Sequence, residues 1–256
     1  MEIFDLPTKI MLGVKEVVIV VAISVCLTES FTFVDLSHGL VNFGVPTVGD
    51  VTGFRYTKMA QENSQGTLFR YNDYLTGEHC GSHMDAPLHL IDSGRTIDEI
   101  PIERFFTTGI LVNATAETGN NPNYTLPVEK LQKWEAENGP LLNPCVVLVD
   151  FGWHRFYEDS QLFVGLKPEA PQNPGLSKEV ADYLAQTKKV YGVGVDTVAV
   201  DIGSELIIHK TLLGNDIYIL ETLDLSTPLP PIFHLVALPL KLVNGTGAQA
   251  RVIAWF

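Results

Sequence analysis

Eleven residues constrain the fold of this chain more than any others: His79-Cys80-Gly81-Ser82-His83-Met84-Asp85-Ala86-Pro87-Leu88-His89. They hold three of the seven histidines in the sequence. His79, His83, Asp85 and His89 are all odd-numbered. An extended backbone turns successive side chains to opposite faces, so all four are expected on one side. Pro87 blocks a continuous helix, which argues against a helical i, i+4 reading of His79 and His83. Gly81 permits backbone angles or a close approach that a Cβ would block. Ser82 is suited to orienting a neighbour by a hydrogen bond. Imidazoles and a carboxylate converging on one point suit a divalent transition metal. A surface loop that happens to be rich in histidine is the alternative.

The rest of the composition narrows the class. At 256 residues the chain fits one large domain or two small ones. With 46% hydrophobic and 18% charged residues it can build a core and is not expected to be disordered. The net charge of -13, with no basic cluster, sets aside nucleic acid and anionic membranes as partners.

Residues 1–30 read as a secretory signal segment. Lys9 and Lys15 precede the apolar run Val17 to Leu27, and Thr28-Glu29-Ser30 follows. The run is too short to span a bilayer but suits a signal; a buried N-terminal strand is the alternative, and Met11 offers a second start. The expected domain is 31–256, secreted or in the lumen of the secretory pathway. Three Asn-x-Ser/Thr sequons, at Asn113, Asn123 and Asn244, support that route as glycosylation candidates. Cys26 lies in the expected signal, leaving Cys80 and Cys145, so the chain is not a disulfide scaffold. A Cys80–Cys145 bridge stays open, and Cys145 is expected to pack.

Hydrophobic patterning predicts strands at 31–40, 69–75, 110–116, 146–151, 190–200, 217–220, 235–242 and 248–256. It predicts helices at 127–138, started by Pro127 and stopped by Gly139, at 177–186, capped by Ser177, and at 204–213. Residues 44–66 read as a long loop or short hairpins. Strands and helices alternate without a linker, which favours one α/β domain with a mixed sheet.

Two distant residues are candidates to complete a metal centre. His209 sits in the 204–213 helix, with a favourable place near its C-terminus as the other explanation. Glu221 directly follows the apolar strand, where a carboxylate is costly unless paired or metal-bound; an ion pair with Lys210, Lys241 or Arg251 is the alternative.

The stretch HCGSHMDAPLH closely resembles the His-x-Gly-Thr-His-x-Asp-x-Pro-x-His signature of the cyclase family, which includes bacterial kynurenine formamidases and isatin hydrolases. Ser82 replaces the threonine and keeps the hydroxyl. The resemblance continues through Asp35-Leu36-Ser37, Gly152-Trp153, Gly194-Val195-Asp196-Thr197, and Glu221 twelve residues after His209. It departs from the pattern at Val198-Ala199 and at Ala248-Gln249-Ala250-Arg251.

The resemblance implies a swivelling β/β/α architecture and assembly as a homodimer or larger. It implies His79, His83 and Asp85 as ligands of one metal, and Asp85, His209 and Glu221 as ligands of a second. The metal is zinc or manganese, as one or two ions. His89 is similar to the family's catalytic histidine. The implied activity is hydrolysis of a small amide, an aryl formamide such as N-formylkynurenine or an isatin-type lactam. Trp153 is a candidate to hold the substrate ring, with core packing as the other explanation. A secreted binding protein on an inactive fold and a polyketide-type cyclase are the competing readings.

Overall fold

Strands whose side chains are buried on both faces read as unbroken apolar runs, and such runs dominate this sequence. The computed structural model describes residues 31–64, 66–165 and 171–256. The expected signal segment, 1–30, lies outside the described residues. The strands are β1 Phe33–Asp35, β2 Arg55–Ser64, β3 Thr67–Leu75, β4 His83–Asp85, β5 Phe106–Asn113, β6 Thr125–Leu126, β7 Cys145–Asp150, β8 Gly175–Leu176, β9 Val190–Val195, β10 Tyr218–Glu221, β11 Ile232–Pro239 and β12 Gly247–Trp255. The helices are α1 Thr115–Thr118, α2 Val128–Asn138, α3 Ser160–Val164, α4 Lys178–Thr187 and α5 Ile207–Leu213.

Eight strands form the main sheet in the order β1-β12-β11-β5-β7-β9-β10-β4. The strands β5, β7, β9 and β10 run parallel to one another. The remaining pairs are antiparallel. β4 also pairs with β12, Gly247 opposite Asp85 and Gln249 opposite His83. That pairing closes the sheet into a barrel-like ring. β12 is the seam: one edge carries β11, and the other carries β4 along its first half and β1 along its second.

Each parallel strand feeds two cores. Along β7, Val147 and Val149 join one apolar cluster, while Val146 and Leu148 join another. The first cluster is covered by Leu131 and Trp134 of α2, Val180 and Leu184 of α4, and Leu212 of α5. The second is built largely from strand residues, among them Met84, Leu220, Leu235 and Val252. Each fully buried Val or Leu contributes about 1.5–3 kcal/mol. The α4 helix begins where Ser177 was expected to cap it; Ser177 Oγ accepts the Val180 N–H at 3.2 Å. The result, over Phe33–Phe256, is a single-domain mixed α/β fold with a sheet-dominated core.

The structure corrects some expectations. Residues 55–64, read as part of a long loop or short hairpins, form the longer β2, paired with β3 in a separate hairpin. None of its residues 55–61 is fully buried, and they lack the apolar alternation that marks a half-buried strand. The α5 helix starts at Ile207, so His209 sits in its first turn and not near its C-terminus. Cys80 and Cys145 are both free and buried. Among the described residues, no helix is long and apolar enough to cross a membrane.

Candidate metal centre

Only His83 to Asp85 of the opening stretch is a strand. His79 lies in a turn before it, and His89 ends a 3-10 turn over Pro87–His89. The alternation argument therefore holds for His83 and Asp85, while His79 and His89 arrive by different routes. Gly81, at φ +71°, turns the chain between His79 and β4. A Cβ there would lie 2.7 Å from Leu40. Pro87 begins the 3-10 turn and, as expected, no α-helix forms.

The sheet brings the distant residues in. β10 lies beside β4, and Glu221 is the cross-strand partner of His83. Glu221 Oε1 accepts the Val200 N–H at 2.9 Å. Asp201, next in sequence, accepts the N–H groups of Ile208 and His209 at 2.8 and 3.0 Å, capping the start of α5. The Asp201 carboxylate also lies 2.6 Å from His209 Nδ1. Two adjacent residues thus fix both distal candidates. Asp201 escaped sequence reasoning; a carboxylate ahead of an apolar helical run was the signal that could have found it.

At the centre stands Asp85, 1% exposed. Its Oδ1 is 2.6 Å from His79 Nδ1 and 3.2 Å from His83 Nε2, and its Oδ2 is 3.4 Å from His209 Nε2. Glu221 lies 3.2 Å from His209 Nε2 and 3.7 Å from His83 Nε2. The structure therefore gathers all five expected ligands, His79, His83, Asp85, His209 and Glu221. His83 and His209 are buried as well. Among the described residues no ion pair joins Glu221 to Lys210, Lys241 or Arg251; Arg251 pairs with Asp35 instead.

Hydrogen bonds on the outer side decide what these rings present inward. His83 Nδ1 is 2.8 Å from the Gly81 carbonyl, which only accepts, so Nδ1 carries the proton. His209 Nδ1 donates likewise to Asp201. Both Nε2 atoms then aim lone pairs at carboxylate oxygens. Lone pairs facing anions at this range require a cation between them or additional protons. Asp85 Oδ2 is buried without a hydrogen-bond partner among the described residues, as an oxygen waiting for a cation would be. A mixed nitrogen and oxygen donor set without thiolate fits zinc or manganese. Ligand atoms of His79, His83 and Asp85 lie within 4.8 Å of one another, and so do those of Asp85, His89 and His209.

The same crowding sets the proton affinities. Burial disfavours a charged His83, but Asp85 and Glu221 outweigh it and raise the pKa to about 9. His209 is raised well above its ordinary value against burial, through Glu221, Asp201 and Asp85. Asp85 is held well below the carboxylate range by His83 and His79, again against burial. His89 moves the other way: burial lowers it, and His79 and His209 add to that. Its ring lies 4.0 Å from that of His79 and 6.0 Å from that of His209. It stands at the edge of the cluster, where burial disfavours its charged form.

Other expected residues fall elsewhere. Trp153 is buried, donates Nε1–H to the Phe163 carbonyl at 3.0 Å and packs edge-on against Phe156. It borders a cavity of about 420 Å³ shared with Asn120 and Leu162, which none of the five ligands lines. Asn113, Asn123 and Asn244 are exposed. A second cluster joins Asp150, His154 and Asp196. Asp196 accepts the N–H groups of Phe151, Trp153 and His154, and so holds the turn after β7. That accounts for the Gly194-Val195-Asp196-Thr197 and Gly152-Trp153 segments as structural partners.

Residues 34–202 match the Cyclase family model. The chain belongs to the cyclase family. Among curated relatives, isatin hydrolase of Roseibium aggregatum is 27% identical over 208 residues, covering 77% of this chain and 79% of the relative. Kynurenine formamidase of Salinibacter ruber is 28% identical over 204 residues, covering 78% and 86%. Among solved structures, isatin hydrolase A from Ralstonia solanacearum superposes with a TM-score of 0.82 at 26% identity, covering 99% of both chains. This cyclase-family chain departs from the expected pattern at Gln249, and the structure gives that residue a task. Its amide nitrogen donates to the carbonyls of Gly77, Glu78 and Cys80 at 2.6, 3.1 and 3.2 Å, clamping the turn that carries His79.

Proposed function

We propose that this chain is a metal-dependent hydrolase of a small aryl amide. Its substrate class is an aryl formamide, as in N-formylkynurenine going to kynurenine and formate, or an isatin-type lactam. The observation that carries this reading is the arrangement around Asp85: imidazoles with inward lone pairs, two carboxylates and a neutral histidine at the rim. The names of the relatives support the substrate class.

His79, His83 and Asp85 would hold one divalent ion, and Asp85, His209 and Glu221 a second. When bound, such an ion polarises a carbonyl and makes water acidic near neutral pH. Asp85 and Glu221 keep the site anionic, and burial of both excludes bulk water from one side. His89, kept neutral, accepts the proton of the attacking water at a ring nitrogen and returns it to the leaving amine. Among the described residues neither ring nitrogen of His89 is engaged in a hydrogen bond, so both are free for that transfer.

The test is metal analysis of the purified protein together with a panel of aryl formamides, lactams and lactones. Turnover of an aryl amide that vanishes on chelation and returns with zinc or manganese is the expected result. Full activity in a metal-stripped His83→Ala variant would overturn the reading.

The chain is further proposed to act as a homodimer or larger assembly on the secretory route. The β2–β3 hairpin supports assembly: Met59, Leu68, Phe69, Tyr74 and Leu75 are exposed on it. A two-stranded ribbon is marginal by itself, and apolar surface of this kind favours a covering partner. Light scattering at micromolar concentration distinguishes a dimer from a monomer. The three exposed sequons support the secretory route, and a mass shift on deglycosylation checks it.

A further inference from the structure

His79 meets the metal centre through the opposite ring nitrogen from the other two histidines. His83 and His209 turn Nε2 toward Asp85, whereas His79 turns Nδ1, 2.6 Å from Asp85 Oδ1. Something must therefore hold His79 from its Nε2 side. That atom lies 2.9 Å from Thr246 Oγ1. Thr246 is on the short segment that enters β12, far away in sequence.

The direction of the hydrogen bonds follows from the next residue out. Thr246 Oγ1 donates to Glu78 Oε2 at 2.6 Å, and Thr246 N–H donates to the same oxygen at 2.9 Å. The hydroxyl has one proton, and Glu78 takes it. Toward His79 the hydroxyl can then only accept, so Nε2 of His79 carries a proton. If Nε2 lost that proton, two lone pairs would face each other across 2.9 Å.

We infer that Glu78 and Thr246 form a positioning pair that keeps His79 protonated on Nε2 and presents its Nδ1 lone pair to the metal. The inference rests on the metal-centre reading above and names residues outside the ligand set. Its physical content is a choice between tautomers. With the proton on Nδ1, His79 would satisfy Asp85 by a simple hydrogen bond and would be lost as a ligand. The Glu78–Thr246 pair disfavours that tautomer.

The surrounding backbone holds the ring in the same seat. A Cβ on Gly247 would lie 2.6 Å from His79 Cε1 and 2.7 Å from the Met84 carbonyl, so the strand beside the ring must be bare. Gln249 clamps the turn carrying Glu78 and His79 from the same strand. Thr246 also completes the sequon at Asn244. The structure gives that threonine a use for its hydroxyl that is independent of any glycan.

The experiment compares full-length wild type with Thr246→Val, Thr246→Ser and Glu78→Ala. Zinc affinity is read by competition with a chromophoric chelator. The tautomer of His79 is read by long-range ¹⁵N–¹H correlation NMR. Thr246→Val keeps the shape and removes the hydroxyl; it is expected to lose about 10- to 100-fold in zinc affinity and to shift the His79 signals toward the Nδ1–H form. Thr246→Ser restores both. Glu78→Ala, which leaves Thr246 in place, moves both in the same direction as Thr246→Val. Wild-type zinc affinity and an unchanged tautomer in a folded Thr246→Val or Glu78→Ala protein would overturn the inference while leaving the metal centre intact. A wild-type protein that binds no zinc would overturn both.

Discussion

Asp201 Oδ2 lies 2.6 Å from His209 Nδ1 and also accepts the backbone N–H of His209 at 3.0 Å. One carboxylate thus fixes the position of this residue and the tautomer of its ring. An outer carboxylate on a ligating histidine raises its basicity and orients it. The Asp201→Asn variant is expected to lose about 10- to 100-fold in metal affinity. Isothermal titration with zinc checks this; unchanged affinity would make Asp201 a helix cap only.

His89→Ala separates binding from chemistry. His89 stands beside the ligands rather than among the five, so metal content is expected to stay at the wild-type level. Turnover is expected to fall about 100- to 10,000-fold, the usual contribution of a positioned base. Metal analysis and steady-state kinetics on one preparation decide the matter. Loss of metal along with activity would place His89 among the ligands.

The metal-free protein has a pH signature of its own. His83 has its pKa raised to about 9 despite burial, because of Asp85 and Glu221. A histidine raised in the folded state adds stability that is complete below its unfolded value of about 6.5. That stability disappears as pH climbs through about 9. The melting temperature of chelator-stripped protein is therefore expected to fall across this window. Zinc displaces the proton, so the thermal gain on adding zinc grows as pH rises. Stripped protein that melts at one temperature throughout the window would contradict the assignment.

Asp150, away from the ligands, works in the opposite sense to Asp85. Burial first and then Asp196 push its carboxyl up to about 6, against the Gly152 N–H and His154. A raised carboxyl's contribution to stability is complete below its unfolded value of about 4 and is lost as pH rises through about 6. Asp150→Asn keeps a carbonyl for the Gly152 N–H, which Asp150 accepts at 2.7 Å. It is expected to raise the melting temperature by a few degrees at about pH 8 and to leave it unchanged at about pH 4. Scanning calorimetry at the two values tests it; a loss of stability at the higher pH would refute it.

The candidate ligands were legible because their chemistry is local: two histidines and an aspartate within one stretch, and a carboxylate ending a buried strand. What oriented them was not. Glu78 and Thr246 are 168 positions apart and share no pattern, so only strand pairing brings them together. The parallel strands announced themselves through apolar runs such as Val146 to Val149, buried on both faces. β2 did not, because a polar ribbon carries no core-facing period. The alternation reading picked four residues that the structure does bring together, although Gly81 and Pro87 bend the backbone that it took as straight.

The β12 seam gives assembly an order in time. Gly247–Gln249 both closes the ring against β4 and seats His79. During synthesis the first half of the metal centre leaves the ribosome 167 residues before Thr246, the partner of His79. Contacts so distant in sequence form late, since loop closure precedes their reward. A nascent chain stalled before β12 would carry His79 unseated, and the proposed ion capture would mark the arrival of β12 rather than the emergence of the candidate ligands.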